Sequence, residues 1–323
     1  MKYDFIGIGD VTTDCFIKLK DAEELTNHGV VELCMPFGTK IPYESATEVW
    51  ATGNSSNAAL CVSKLGLSAA LVSSVGGDDN GKKIMESLET RGVATEYMAV
   101  HKDMKTNYYY ILQYGAERTI LVKHHPYPKL IPNFAEPPKW LYFSSSGEND
   151  FQNSVGRYCV ENGVKLAFQP NTEQIKAGRE ALKDVYAASE IFICNKEESQ
   201  AILKTEEQDE KKLMEGIRAL GPKIVVITDG PNGANILEDG AWHIPMYPDP
   251  APPVSRTGAG DVSASTTVAY LAMGMTPREA LMRALINAAA GVQAVHAQLG
   301  TLTREQIEEW YAKRPADFKA TSL

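Results

Sequence analysis

The 323-residue chain has no run of about 18 apolar residues, no cluster of Lys and Arg, no internal repeat and no low-complexity tract. The first absence removes a transmembrane helix; the second removes the electrostatic footprint of a nucleic-acid binder. Net charge is −9, from 32 basic and 41 acidic residues, so an anionic substrate would need local positive help. The five cysteines, Cys15, Cys34, Cys61, Cys159 and Cys194, are odd in number and show no C-x-x-C spacing. That argues against a disulfide framework and against a zinc site, and fits a reducing compartment. The opening MKYDFIGIGD has no basic segment and no long apolar one. The expectation is a cytoplasmic, enzyme-sized protein without signal peptide or membrane span. Its 44% hydrophobic content suffices for a large core.

What is present is an alternation. Short β-rich runs at Tyr3 to Gly9, Ala69 to Val75, Lys139 to Phe143, Val164 to Phe168, Glu190 to Cys194 and Lys223 to Thr228 are separated by helix-like stretches. Several of these close on glycine, as at Gly66, Gly92 and Gly163. Such a rhythm predicts an α/β fold with a mostly parallel sheet between two layers of helices. Residues 16–50 and 100–125 break the rhythm with strand-like pieces, Val30 to Met35, Asn107 to Gln113 and Thr119 to Lys123. Both stretches leave and rejoin the sheet, so a small antiparallel lid over the strand ends is expected within a single domain spanning 1–323. Helices are expected over Val262 to Met273, Pro277 to Ala297 and Arg304 to Lys313.

The segment Arg256-Thr257-Gly258-Ala259-Gly260-Asp261 sets a glycine-rich turn against the start of the Val262 helix. Backbone N–H groups of Gly258, Ala259 and Gly260 at a helix N-terminus can receive a phosphate. Asp261 beside such an anion hole would repel the phosphate. It is either a helix cap or a base that takes a proton from an attacking hydroxyl.

Other segments are less specific. Gly76 to Lys83 nearly spells a phosphate-binding loop, but Lys83 lacks the required hydroxyl and Asp78 and Asp79 would repel phosphate, so a turn into a helix is the better reading. Gly7-x-Gly9-x-x-Thr12 lacks the third glycine of a dinucleotide fingerprint. Asp10 and Asp14, at the end of the first strand, can accept hydrogen bonds from a polyol or be solvated turn acids. Thr52-Gly53-Asn54-Ser55-Ser56-Asn57 joins a close-approach glycine to small polar groups ahead of a helix. Asn195 and Glu198 can hold Mg²⁺ through water or simply start a helix. Thr228-Asp229-Gly230-Pro231-Asn232-Gly233 offers a nucleotide a hydroxyl and two glycines, or forms a hairpin turn. The adjacent His124 and His125 carry no assigned chemistry.

In order along the chain, Asp14, Gly53-Asn54-x-x-Asn57, Val75-Gly76-x-Asp78-x-x-x-Gly81, Asn195-x-x-Glu198, Thr228-x-Gly230 and Gly258-Ala259-Gly260-Asp261 resemble the ribokinase-like (PfkB) carbohydrate and nucleoside kinase family. No single motif is specific; the collinear set is. The resemblance implies a three-layer α/β/α fold with a β-rich lid and an ATP- and Mg²⁺-dependent kinase acting on a sugar hydroxyl. A nucleoside kinase and a non-catalytic ligand-binding relative are the alternatives. Carried over by position, Asp261 is the base and Gly258 to Asp261 the anion hole. Asp14, Gly53, Asn54 and Asn57 meet the substrate. Asn195, Thr228, Gly230, Gly233 and Asn287 surround the nucleotide, with Asn195 and Glu198 near Mg²⁺. Ser255 and Arg256 depart from the family pattern. Ser255 removes a carboxylate associated with a monovalent-cation site, leaving potassium activation open, and Arg256 can add charge at the phosphoryl group or pair with a surface acid. Gln169 replaces an expected aspartate, and Ser263 a common aromatic. Tyr108, Tyr109 and Tyr110 with the Gly115-Ala116-Glu117-Arg118 turn give the nucleoside reading its support. A homodimer through the lid is the expected assembly if the lid has an exposed face.

Overall fold

The computed structural model of the chain describes residues 2–115, 117–144 and 149–323. The strands are β1 (Phe5–Ile8), β2 (Thr12–Leu19), β3 (Glu23–Asn27), β4 (Val30–Cys34), β5 (Tyr43–Thr52), β6 (Ala69–Gly76), β7 (Val93–Ala94), β8 (Met98–His101), β9 (Tyr108–Tyr114) and β10 (Glu117–Leu121). They continue with β11 (Trp140–Phe143), β12 (Lys165–Phe168), β13 (Ser189–Asn195), β14 (Ile224–Thr228), β15 (Ala234–Leu237), β16 (Ala241–Ile244) and β17 (Thr321–Ser322). The helices are α1 (Asn54–Lys64), α2 (Asp79–Thr90), α3 (Asn149–Asn162), α4 (Thr172–Ala177), α5 (Lys183–Ala188), α6 (Lys196–Leu203), α7 (Glu210–Arg218), α8 (Ala259–Ala272), α9 (Pro277–Gly291), α10 (Ala297–Gly300) and α11 (Arg304–Ala312).

The large sheet runs β17-β16-β15-β14-β13-β12-β11-β1-β6-β7, with β8 also on β6. Pairings from β14 to β7 are parallel, and β15, β16 and β17 finish one edge antiparallel. Its central strands are apolar almost throughout because both faces are covered. Side chains alternate between two cores. Phe5, Trp140, Tyr142, Ile191 and Val226 pack toward α1, α8 and α9, while Ile6, Leu141, Phe143, Phe192 and Val225 pack toward α3 and α7. Each strand read from the sequence is present within a residue or two. The expected Pro277 to Ala297 helix instead ends at Gly291. The Val292 carbonyl, which would accept the next helical bond, takes the N–H groups of Val254 (2.8 Å) and Ser255 (3.2 Å), and the chain turns into the short α10.

The two segments that broke the rhythm form a separate sheet, β10-β9-β2-β5, and a hairpin, β3-β4. The β10–β9 and β2–β5 pairings are antiparallel as expected, whereas β2 and β9 run parallel. Both leave the same end of the large sheet, β2 just beyond β1 and β9 beyond β8, so they point the same way. Asp14 accordingly lies in β2, inside this lid, rather than at the end of β1. Ala116, part of the Gly115 to Arg118 stretch, lies outside the described residues. The rejected phosphate loop is a helix start: Asp78 caps α2 by accepting from the Gly81 N–H at 3.1 Å, and its other oxygen takes the Thr106 N–H, also at 3.1 Å.

Lid strand β5 joins α1 through one residue, Gly53. Its φ is 108°, and a Cβ there would stand 2.5 Å from the Asp10 carbonyl oxygen. No L side chain suits that backbone or that gap. Gly53→Ala is expected to cost about 3 kcal/mol or more, read as a lowered urea midpoint; a midpoint within error of the parent would refute the close approach.

Candidate active site

Chain segments leave the carboxyl ends of the parallel strands in a row, and ligands of open α/β sheets bind at such a crest. Asp10 follows β1, Ser144 follows β11, Gln169 follows β12, and Asn195 and Thr228 end β13 and β14 as register partners. Onto this crest α8 directs its N-terminus. Gly258, its cap, has φ 81°, a left-handed turn that glycine adopts freely, and no side chain caps the helix. By contrast α2, α4, α6, α7 and α11 are each capped by a side chain. The Ala259 N–H is turned back to the Arg256 carbonyl at 3.3 Å, which leaves the Gly260 and Asp261 N–H groups of the first turn for an anion.

Asp261 lies in the first turn of α8. Its Oδ2 accepts from Asn57 Nδ2 at 2.7 Å and its Oδ1 from Gln169 Nε2 at 3.2 Å. The amide of Gln169 is in turn oriented by the Tyr142 hydroxyl, which donates to its Oε1. Burial pushes the Asp261 carboxyl above its ordinary value, and the two amide donors oppose that rise.

Two further carboxylates feel the Asp261 charge. Asp14 is 9% exposed, and its Oδ1 has no hydrogen-bond partner. Burial foremost, countered by Thr52 and reinforced by Asp261, pushes it up to about 7. Glu198 is also raised, by burial first, with the Asn195 N–H opposing and Asp261 adding. Asn195 and Glu198 form a reciprocal capping box at α6, Asn195 Oδ1 accepting from the Glu198 N–H (2.7 Å) and Glu198 Oε2 from the Asn195 N–H (2.9 Å). No ion pair to Asp14, Glu198 or Asp261 occurs among the described residues. No group of three metal-ligating side chains occurs among the described residues, so a divalent cation here would be held largely through water.

The remaining positions divide. Asn54 donates to the Ser144 hydroxyl at 3.0 Å, beside the crest. Thr228 stands beside Asn195, and Gly230 opens onto free space. Gly233 abuts the Ile244 carbonyl of β16, so its missing side chain serves the β14–β15 hairpin. Asn287 is fully buried, with its carboxamide used by the Thr266 hydroxyl (2.8 Å) and the Leu302 N–H (2.7 Å), and it ties α9 to α8. Arg256 is exposed and pairs with no acid among the described residues. Sequence reasoning missed Lys129, which pairs with Asp10, and Arg91 and Gln298, which reach Asn57 from behind. His124 meets the Tyr109 hydroxyl, and Tyr109 is the register partner of Asp14.

Comparison with known proteins agrees with this geometry. The sequence matches the family described as pfkB family carbohydrate kinase over residues 27–304. It is 28% identical over 214 residues to a nucleoside kinase of Methanothermobacter thermautotrophicus, covering 65% of this chain and 67% of that protein. Against the ribokinase of Bacillus subtilis it is 25% identical over 264 residues, covering 80% and 86%. The solved structure of Arabidopsis thaliana ribokinase complexed with ribose and ATP has a TM-score of 0.80 at 18% identity, covering 96% of this chain and 98% of that one.

Proposed function

Because this chain belongs to the pfkB family of carbohydrate kinases, we propose that it transfers the γ-phosphoryl group of ATP to a hydroxyl of a sugar, with Asp261 as the general base. The observation that carries this reading is a carboxylate held by two amides at the uncapped N-terminus of α8. In the reaction Asp261 takes the acceptor proton, the acceptor oxygen attacks phosphorus in line, and the bond to the ADP oxygen breaks. The N–H groups at Gly258 to Asp261 receive the negative charge that builds on the phosphoryl oxygens. Asp14, with a buried and unpartnered oxygen, takes a second hydroxyl of the acceptor, while Gly53, Asn54 and Asn57 shape the same wall. Thr228 and Gly230 border the nucleotide, with Gly233 shaping the hairpin behind them, while Asn287 steadies α8 from within the protein.

Mg²⁺ would supply charge neutralisation between the donor phosphates. Asn195 and Glu198 are the residues to hold it through water, and they fit, since Glu198 is raised by burial and carries no ion pair among the described residues. Arg256, exposed and with no acid partner among the described residues, is available to add charge at the phosphoryl group.

A nucleoside acceptor is the second reading. It is favoured by Tyr109, a half-buried ring on the lid strand beside Asp14. The deciding experiment is ADP release from ATP and Mg²⁺ across pentoses, hexoses, keto-deoxy acids and nucleosides. One acceptor class should stimulate release; ATP binding with no stimulation by any class would favour a non-catalytic relative. Leu25, Val30, Val31, Ile120 and Leu121 stand exposed on the lid and its hairpin, which favours pairing of two copies there. Light scattering is expected to give about twice the 35.3 kDa chain mass, and a monomer mass would refute the pairing.

A further inference from the structure

Behind Asn57 a line of side chains runs away from the nucleotide crest. Asn57 Oδ1 accepts from Gln298 Nε2 at 2.6 Å, and Gln298 Oε1 accepts from Arg91 Nη1 at 2.8 Å. The direction of every bond in this line is fixed from both ends. A guanidinium can only donate, so Gln298 must turn its oxygen to Arg91 and its amide nitrogen to Asn57. Asn57 must then turn its nitrogen outward, and what it meets is the carboxylate of Asp261, which when ionised can only accept. Gln298 Nε2 also donates to the Ala51 carbonyl at 2.9 Å, and Arg91 Nη2 to the Trp50 carbonyl at 3.1 Å. Those two carbonyls belong to the last residues of lid strand β5. Ala51 is itself held at φ 59°, a left-handed conformation that costs a non-glycine residue on the order of 1 kcal/mol or more. Arg91 is anchored independently by Ser87, whose carbonyl and hydroxyl take its Nε (3.0 Å) and Nη2 (2.7 Å).

We propose that Arg91 and Gln298 are positioning residues for phosphoryl transfer, holding Asn57 in the one amide orientation that donates to Asp261 and tying that orientation to the end of the lid strand. The inference rests on the reading of Asp261 as the base. Neither side chain bonds to Asp261 directly; they reach it through Asn57, with the Trp50 and Ala51 carbonyls of β5 among their other acceptors.

Charged and titratable groups near the line are Lys64 and Cys61, which line the same cavity as Arg91 and Gln298, Asp14 and Glu198, which feel Asp261, and Tyr142, which faces it through Gln169. His296 is buried beside Phe16 at 5.5 Å between ring centres. Burial and then Arg91 hold it down to about 4, so it stays neutral through the working range.

Gln298→Glu keeps the shape but cannot donate to Asn57, and Arg91→Met removes the donor that sets the line. Both are expected to lower kcat roughly tenfold to a hundredfold with the KM for ATP unchanged, and to move the acid limb of the kcat profile to higher pH, since Asp261 loses a donor. Arg91→Lys, still donor-only, should restore most of kcat and the original limb. Because Arg91 and Gln298 line a cavity of about 400 Å³, guanidinium ion should partly rescue Arg91→Ala where sodium at equal ionic strength does not. A fall in kcat with the acid limb unmoved and no rescue by lysine or guanidinium would mean mere structural support and overturn the proposal. So would unchanged kcat in Gln298→Glu. Asp261→Asn, assayed alongside, separates the two readings: if it keeps full turnover the base assignment fails, whatever Arg91 and Gln298 do.

Discussion

Asp261→Asn is expected to lower acceptor-dependent ADP release by about 10³-fold while leaving ATP affinity near that of the parent. The substitution is close to isosteric, so Asn57 and Gln169 still surround residue 261 and the anion hole at the start of α8 keeps its backbone. What disappears is the group that can take a proton. Burial raises the Asp261 carboxyl, so the parent should gain activity as pH rises through a range above that of an ordinary carboxylate. The variant should lack that limb. Turnover within tenfold of the parent would sink the assignment of Asp261 and return it to the role of a helix-terminal acid. Calorimetric titration with ATP shows whether the site survives the change.

Asp14→Asn is expected to act in opposite directions on stability and on activity. An aspartate in an unfolded chain titrates near 3.9, whereas Asp14 in the fold stands at about 7. Between those values the folded protein keeps a proton that the unfolded chain gives up. The contribution of Asp14 is therefore fully favourable below the lower value and is lost as pH rises through the upper one. Asparagine escapes that loss. Near pH 8 the variant should be more stable than the parent by on the order of 2–4 kcal/mol, and near pH 4 the difference should vanish. Urea unfolding at both ends of the range measures it, and a pH-independent difference would show that Asp14 is not held as an uncompensated buried acid. If Asp14 takes an acceptor hydroxyl as proposed, turnover should fall by roughly a hundredfold in kcat/KM, since its Oδ1 has no partner in the fold.

The strands were legible because each alternates between two cores, so even four-residue runs such as Trp140 to Phe143 carry a β-type apolar signal. The lid was legible as a loss of helical period. Its parallel β2–β9 pairing was not, since pairing direction depends on where two segments leave the larger sheet. At the site, Asn57 and Asp261 stood out because glycines and short polar residues cluster around them in the chain, and the structure brings the two into contact, whereas Asp14 was read at the end of β1 and lies in β2. Gln169 showed only as a departure from the resembled pattern, and the structure sets it on Asp261. Arg91 and Gln298 gave no signal at all. One follows the last turn of α2 and the other lies in α10, separated by 207 positions, and a glutamine with no neighbouring motif looks like any surface residue.

The single-residue joint at Gly53 bears on how such an enzyme tells its acceptor from water. Water is the smallest hydroxyl compound present and far the most abundant, and a single water molecule is too small to bridge two carboxyl groups on separate sheets and helices. On the proposed reading, a larger acceptor would span from Asp14, on the lid strand β2, to Asp261, at the start of α8, and would hold lid and body in one arrangement. With the lid strand and the Asn57 helix meeting at one joint, the base is aimed best when something bridges that distance. Discrimination against hydrolysis of the donor then follows from the length of the acceptor.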